Sequence, residues 1–121
     1  MAHAKIALGL APVLPVPDLT EAIDTWKTVL GVEPTFIDGD KWAQFDLEGR
    51  RLILSGTDRI AETPSIMVKT ADVADARTRM SSAGLSFGDA YRHGGELRSN
   101  ALGPGGWTIV LYGPASKSGA E

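Results

Sequence analysis

Pro12-Val13-Leu14-Pro15-Val16-Pro17-Asp18-Leu19 and Ile66-Met67-Val68-Lys69-Thr70-Ala71-Asp72-Val73 are the two stretches that decide the fold. Each is an extended apolar run that stops at an aspartate followed by an aliphatic residue. A short carboxylate at that point accepts the unpaired N–H groups of a helix's first turn, so Asp18 and Asp72 are natural N-caps. Each has an acid three residues on, Glu21 and Asp75. The similarity makes the chain a tandem repeat with a period of about half its length.

After Asp18, Leu19, Ala22, Ile23, Trp26, Val29 and Leu30 recur at spacings of three and four and line one helix face, and Gly31 ends that helix. Val73, Ala76, Met80 and Ala83 repeat the pattern more weakly before Gly84, which gives two helices of about three turns each. Short β-branched and aromatic runs follow both helices, broken at Asp38-Gly39-Asp40, Glu48-Gly49-Arg50 and Pro104-Gly105-Gly106. The two halves also end alike, Gly49-Arg50-Arg51-Leu52-Ile53-Leu54 against Gly106-Trp107-Thr108-Ile109-Val110-Leu111. The expected order is strand 8–16, helix 19–30 and strands near 34–38, 42–47 and 51–56. It then repeats as strand 65–70, helix 73–83 and strands near 86–91, 96–102 and 107–112. The fold class is therefore α+β, one domain over 1–121 built from two βαβββ modules at about 6–57 and 64–114. Their mixed sheet is expected to curve around a ligand cleft.

Composition removes several function classes. The 121 residues carry 12 basic and 15 acidic side chains, a net charge of -3, with no basic cluster for a phosphate backbone. Nucleic acid is not an expected partner. There is no cysteine, so disulfides, thiolate metal sites and cysteine nucleophiles are excluded. Only His3 and His93 supply imidazole. Pro12, Pro15 and Pro17 interrupt the apolar run 6–16, and no stretch approaches the ~20 residues of a bilayer span, so the expectation is a cytoplasmic protein without a membrane partner.

A duplicated unit with Val16-Pro17-Asp18-Leu19 ahead of an amphipathic helix ending Trp26-Lys27-Thr28-Val29-Leu30-Gly31 resembles the vicinal oxygen chelate (glyoxalase/bleomycin resistance/extradiol dioxygenase) superfamily. The resemblance covers roughly residues 9 to 114. Ala11 to Leu19 with Ala22-Ile23-Asp24-Thr25-Trp26 looks most like the bleomycin-resistance proteins. It implies a dimer with two ligand sites, each built from modules of both chains. Enzymes of the superfamily hold a divalent metal through side chains of the first and last strand of each module. Those positions fall here on Ala11, Ser65, Val110 and Ile53. Three of the four are apolar and none is a carboxylate or imidazole, so no metal and no cofactor is expected.

Strand parity selects the candidate ligand-binding residues. Pro12, Leu14 and Val16 should face the helix, and Ala11, Val13 and Pro15 the cleft. On the 42–47 strand Phe45 and Leu47 should be core, leaving Trp42, Gln44 and Asp46 to the cleft. Arg51 shares parity with Ile53, and Tyr112 with Val110. Trp107 follows a glycine-rich turn as a lid or dimer contact, and Arg98 and Asn100 could orient polar groups. The expected ligand-binding set is Trp42, Gln44, Arg51, Ile53, Arg98, Trp107, Val110 and Tyr112. The bland readings stand beside it: packed or rim tryptophans, solvated strand-edge arginines, and Trp26, Phe36 and Phe87 as packing. His93 reads as a loop histidine without a defined carboxylate partner, and Asp46, Asp89 and Glu96 as carboxylates that parity alone does not bring together. The preferred reading is a metal-independent homodimer that sequesters a hydrophobic or partly aromatic metabolite or antibiotic. The alternatives are a lyase or isomerase of the superfamily, or an interaction module.

Overall fold

The computed structural model describes residues 7–115. His3 and the tail beyond Ala115, expected to be frayed, fall outside them. The elements run β1 (Ala7–Pro15), α1 (Leu19–Leu30), β2 (Phe36–Asp38), β3 (Trp42–Leu47), β4 (Arg50–Ser55), β5 (Ser65–Thr70), α2 (Val73–Ser81), β6 (Tyr91–His93), β7 (Glu96–Leu102) and β8 (Thr108–Pro114). This is the βαβββ order twice over. The chain forms two compact units, described in turn: residues 11–65, and residues 66–115 with the first part of β1.

In the first unit the strand order is β2-β3-β4-β1. β1 pairs with β4 in parallel, because the chain must cross over through α1 to return, and β2, β3 and β4 form an antiparallel meander. The β3–β4 hairpin closes on Glu48 and Gly49, both at positive φ, 54° and 84°. That left-handed pair matches the strand twist. The Asp46 carboxylate accepts the Gly49 N–H at 2.8 Å and so braces the turn, while its place opposite Arg51 keeps it on the side of the sheet that strand parity assigns it. α1 starts at its expected cap, with Asp18 Oδ1 accepting the Glu21 N–H at 3.0 Å, and ends at Gly31 with φ 73°. Its core face buries Leu19 and Ile23 against Ala43, Phe45 and Leu54, with Leu14, Val16, Trp26 and Leu30 packed around them.

Three expectations of burial fail here. Val29 is exposed because it lies at the margin of the α1 stripe, and Leu47 is exposed because it ends β3 beyond the cover of the helix. Pro12 is exposed although Leu14 and Val16, of the same parity, pack on α1. The helix covers only the later part of β1.

In the second unit the order is β5-β8-β7-β6, with the first residues of β1 beside β5. Asp72 Oδ1 accepts the Asp75 N–H at 3.0 Å, and Val73, Ala76, Leu97 and Leu111 make the core with Val68, Met80 and Phe87 against it. α2 is shorter than expected: it stops at Ser81 with Ser82 as its right-handed C-cap. Gly84, at φ 92°, closes the following turn instead, donating its N–H to the Ser81 carbonyl at 3.0 Å. The strand expected at 86–91 begins only at Tyr91. Gly88 holds the preceding stretch to β7 by its N–H on the Asn100 carbonyl, 2.9 Å, while its own carbonyl accepts the Ser99 hydroxyl at 2.6 Å.

Candidate functional site

Each module has one sheet face packed on its helix, and the candidate residues concentrate on the opposite face. In the first unit the register places Phe36, Gln44, Ile53 and Val13 directly side by side, and Asp38, Trp42 and Ser55 in the adjoining row. Directly opposed residues point to the same side of a sheet. Leu54, Ala43 and Leu14 form the helix-side row, so Trp42, Gln44, Arg51 and Ile53 share the face away from α1. Arg51 sits opposite Asp46.

In the second unit Tyr91, Arg98 and Tyr112 form one row across β6, β7 and β8, and Asn100 and Val110 the next. Leu97 and Leu111 point to α2, so Arg98, Val110 and Tyr112 share the face away from it. Arg98 is 7% exposed, and its Nε–H donates to Glu96 Oε1 at 3.3 Å. A buried guanidinium requires such a partner, because an uncompensated charge away from water is strongly unfavourable.

The centres of both faces are dry. Ile53 is 1% and Val110 0% exposed, and Ala11, Val13, Ser65 and Met67 are buried as well. A ligand would meet Trp42, Gln44 and Arg51, which are partly exposed, before either aliphatic. Trp107 stands apart from these rows. Its indole lies over its own hairpin loop, so close to Gly103 that an added Cβ there would sit 2.8 Å from the ring.

Sequence reasoning missed Tyr91, whose hydroxyl donates to Asn100 Oδ1 at 3.3 Å on the same face as Arg98. It also misplaced His93, which lies in β6 directly opposite Glu96 rather than in a loop. The available signal was the Gly94-Gly95 turn, which fixes a two-residue hairpin and with it the facing pairs. Asp89 lies outside every strand, so strand parity says nothing of its direction.

The metal positions implied by the fold do not fit a metal. Ala11, Ile53 and Val110 offer no donor atom and Ser65 only a hydroxyl, whereas a divalent first-row ion or Mg requires carboxylates or imidazoles. No cluster of three or more His, Asp and Glu side chains able to hold a metal occurs among the described residues. No helix among them is long and apolar enough to cross a membrane.

No family model and no curated protein matches the sequence. Solved structures do match. A Legionella pneumophila protein described as an NAD-dependent benzaldehyde dehydrogenase superposes with a TM-score of 0.75 at 14% identity, over 88% of this chain and 99% of that one. A glyoxalase/bleomycin resistance protein/dioxygenase superfamily member from Vibrio splendidus gives 0.66 at 14% identity, over 86% and 97%. Methylmalonyl-CoA epimerase from Mycobacterium tuberculosis gives 0.63 at 21% identity, over 100% and 97%. With the duplicated βαβββ order and the register above, these likenesses establish that the chain has the glyoxalase/bleomycin-resistance fold, that of the vicinal oxygen chelate superfamily.

Proposed function

We propose that the chain is a metal-independent binding protein for a small, partly aromatic molecule, which it takes on the sheet faces turned away from the helices and sequesters as a homodimer. The supporting observation is the composition of those faces. Trp42, Gln44 and Arg51 in one module and Arg98 and Tyr112 in the other surround aliphatic positions where metal ligands would otherwise stand. An apolar floor with a few convergent polar groups is the usual make-up of a small-molecule site. The tryptophan supplies a stacking plane, and the arginines and tyrosine orient polar atoms.

Dinucleotide chemistry does not suit this chain. Its two strand-to-helix turns read Pro15-Val16-Pro17-Asp18-Leu19 and Thr70-Ala71-Asp72-Val73. Neither holds the glycines that let a backbone approach a pyrophosphate.

Superfamily lyase or isomerase activity is the second reading, and one observation favours it: the facing of His93 and Glu96, with Arg98 bonded to Glu96. An imidazole beside a carboxylate can pass a proton without a metal. Native mass spectrometry of tag-free protein decides between the readings. A dimer mass free of divalent metal, carrying an organic adduct that is recovered unchanged, is the expected result. A stoichiometric metal ion or a chemically altered adduct would overturn sequestration.

A further inference from the structure

Tyr91 is the first residue of β6 and faces Arg98, so Asn100, two residues further along β7, has no β6 residue opposite it. The Tyr91 hydroxyl takes that place, donating to Asn100 Oδ1 at 3.3 Å. Diagonal neighbours on an antiparallel pair lie ~7–8 Å apart, a span that an aromatic side chain bridges. Both residues stand on the side of the sheet away from α2.

The bond decides which end of the amide is left to give. With Oδ1 accepting from Tyr91, the two hydrogens on Nδ2 remain. Nδ2 donates to no described residue. Among the described residues Arg77 Nε is the side-chain polar atom that is both buried and unpartnered, so Nδ2 is open to solvent and a ligand can reach it. Asn100 as a whole is only partly exposed, and Val110, directly opposite it on β8, is 0% exposed. A donor at such a half-dry position gains more from a fixed acceptor than a fully solvated one does.

The neighbours narrow the acceptor. Arg98, on the same strand and face, is a guanidinium with donors and no acceptor. Glu96 lies four residues from Asn100, ~13 Å away at the ~3.3 Å rise per residue of a strand. It accepts from Arg98 at 3.3 Å and balances that charge, which favours a neutral carbonyl over a carboxylate. The Tyr91 ring is 39% exposed and is tied at its hydroxyl end to the amide. An exposed aromatic plane with a donor at its tip matches a molecule that carries an acceptor at the edge of its own ring.

We infer that Asn100 and Tyr91 read an aryl carbonyl group, with the ligand ring against the Tyr91 ring and its carbonyl oxygen accepting from Asn100 Nδ2–H, an assignment that rests on the sheet-face binding proposed above. Asn100 is the specificity residue, and the Tyr91 hydroxyl positions its amide.

The test is titration of the full chain with acetophenone and with α-methylstyrene, in which a methylene group replaces the carbonyl oxygen, followed by the Asn100 side-chain amide, Tyr91 ring and backbone NMR signals. Acetophenone should shift the Asn100 Nδ2–H pair and bind more tightly by about two- to tenfold, the value of one neutral hydrogen bond. Asn100→Asp keeps an acceptor for Tyr91 and removes the donor, and should abolish that preference while α-methylstyrene binds as before. Tyr91→Phe keeps the ring and frees the amide, and should reduce the preference without weakening α-methylstyrene, whereas loss of a merely structural contact would weaken both probes alike. Equal affinities of the two probes for the wild-type chain, or shifts confined to the module of Trp42, would overturn the assignment and leave sheet-face binding standing. Shifts on neither face would also overturn it, while the proposed function stands or falls on the mass of the co-purified adduct.

Discussion

Gly56 packs so closely against the backbone of Asp40 that an added Cβ would overlap the Asp40 carbonyl oxygen, and it would also meet the Leu19 side chain at 3.2 Å. The other module has a similar close approach with a different backbone partner, the end of β5 in place of the β2–β3 turn. A Cβ on Gly113 would overlap the Thr70 carbonyl and come within 3.4 Å of Val73. Leu19 and Val73 are the first residues of α1 and α2. In each module, then, a glycine at the end of the last strand or just after it lets the chain run against the start of the helix.

Alanine at either glycine should destabilise its module by about 1–3 kcal/mol, the usual cost of forcing atoms into a packed site. Neither glycine has the positive φ that would add strain, so the effect is steric. Urea unfolding monitored by circular dichroism checks this. Gly95→Ala, where a Cβ meets nothing within 4 Å, should be near neutral.

Removing the helix caps should cost less. Asp18→Ala and Asp72→Ala each delete one acceptor for a first-turn N–H, at 3.0 Å in both cases. Each should lower stability by about 1 kcal/mol, and Asn at either position should retain most of it. The shift in urea midpoint at unchanged slope is the readout.

The Trp107 indole rests on a loop of glycines, so Gly103→Ala should displace it without touching the sheet. Its emission should shift to the red as the ring moves into water, while far-ultraviolet circular dichroism stays as in the wild type. Unchanged emission would mean that the ring does not rest on Gly103.

Val110→Glu tests the dry centre of the second module's ligand face. It places a lone carboxylate where the wild-type side chain is 0% exposed. A cost of about 3–5 kcal/mol is expected, as for an unpaired buried charge, and added Mn or Zn should not restore it because Ala11, Ile53 and Ser65 supply no second strong ligand. Recovery of stability with metal would revive a metal-dependent reading.

Trp42→Ala should weaken whatever ligand co-purifies by about two- to tenfold, the value of one stacked ring, while the same change at Trp107 should leave affinity unaltered because that ring covers its own loop. Isothermal titration with the two variants separates a stacking residue from a packed one.

The repeat, the caps Asp18 and Asp72, the full span of α1 and the faces of β3, β4 and β8 were legible in the sequence. These features follow from local rules. A carboxylate before an amphipathic run caps it, and a period of two puts Trp42, Gln44, Arg51 and Tyr112 on the side away from the helix. The absence of metal donors at Ala11, Ile53, Ser65 and Val110 was equally legible, since it is a matter of residue type. How far each neighbour reaches was set by packing between elements. Leu47 carries the right pattern, yet the helix ends short of it, and Val29 lies at the margin of a stripe whose next residue, Leu30, does pack. Ser82 caps α2 before Gly84 can. His93 gained a facing carboxylate, and Tyr91 a place beside Arg98, because the Gly94-Gly95 hairpin fixes a pairing between strands that periodicity along one strand does not contain. Ile53 and Val110 are buried for the same kind of reason: exposure depends on what lies across from a residue, and distance along the chain does not encode that.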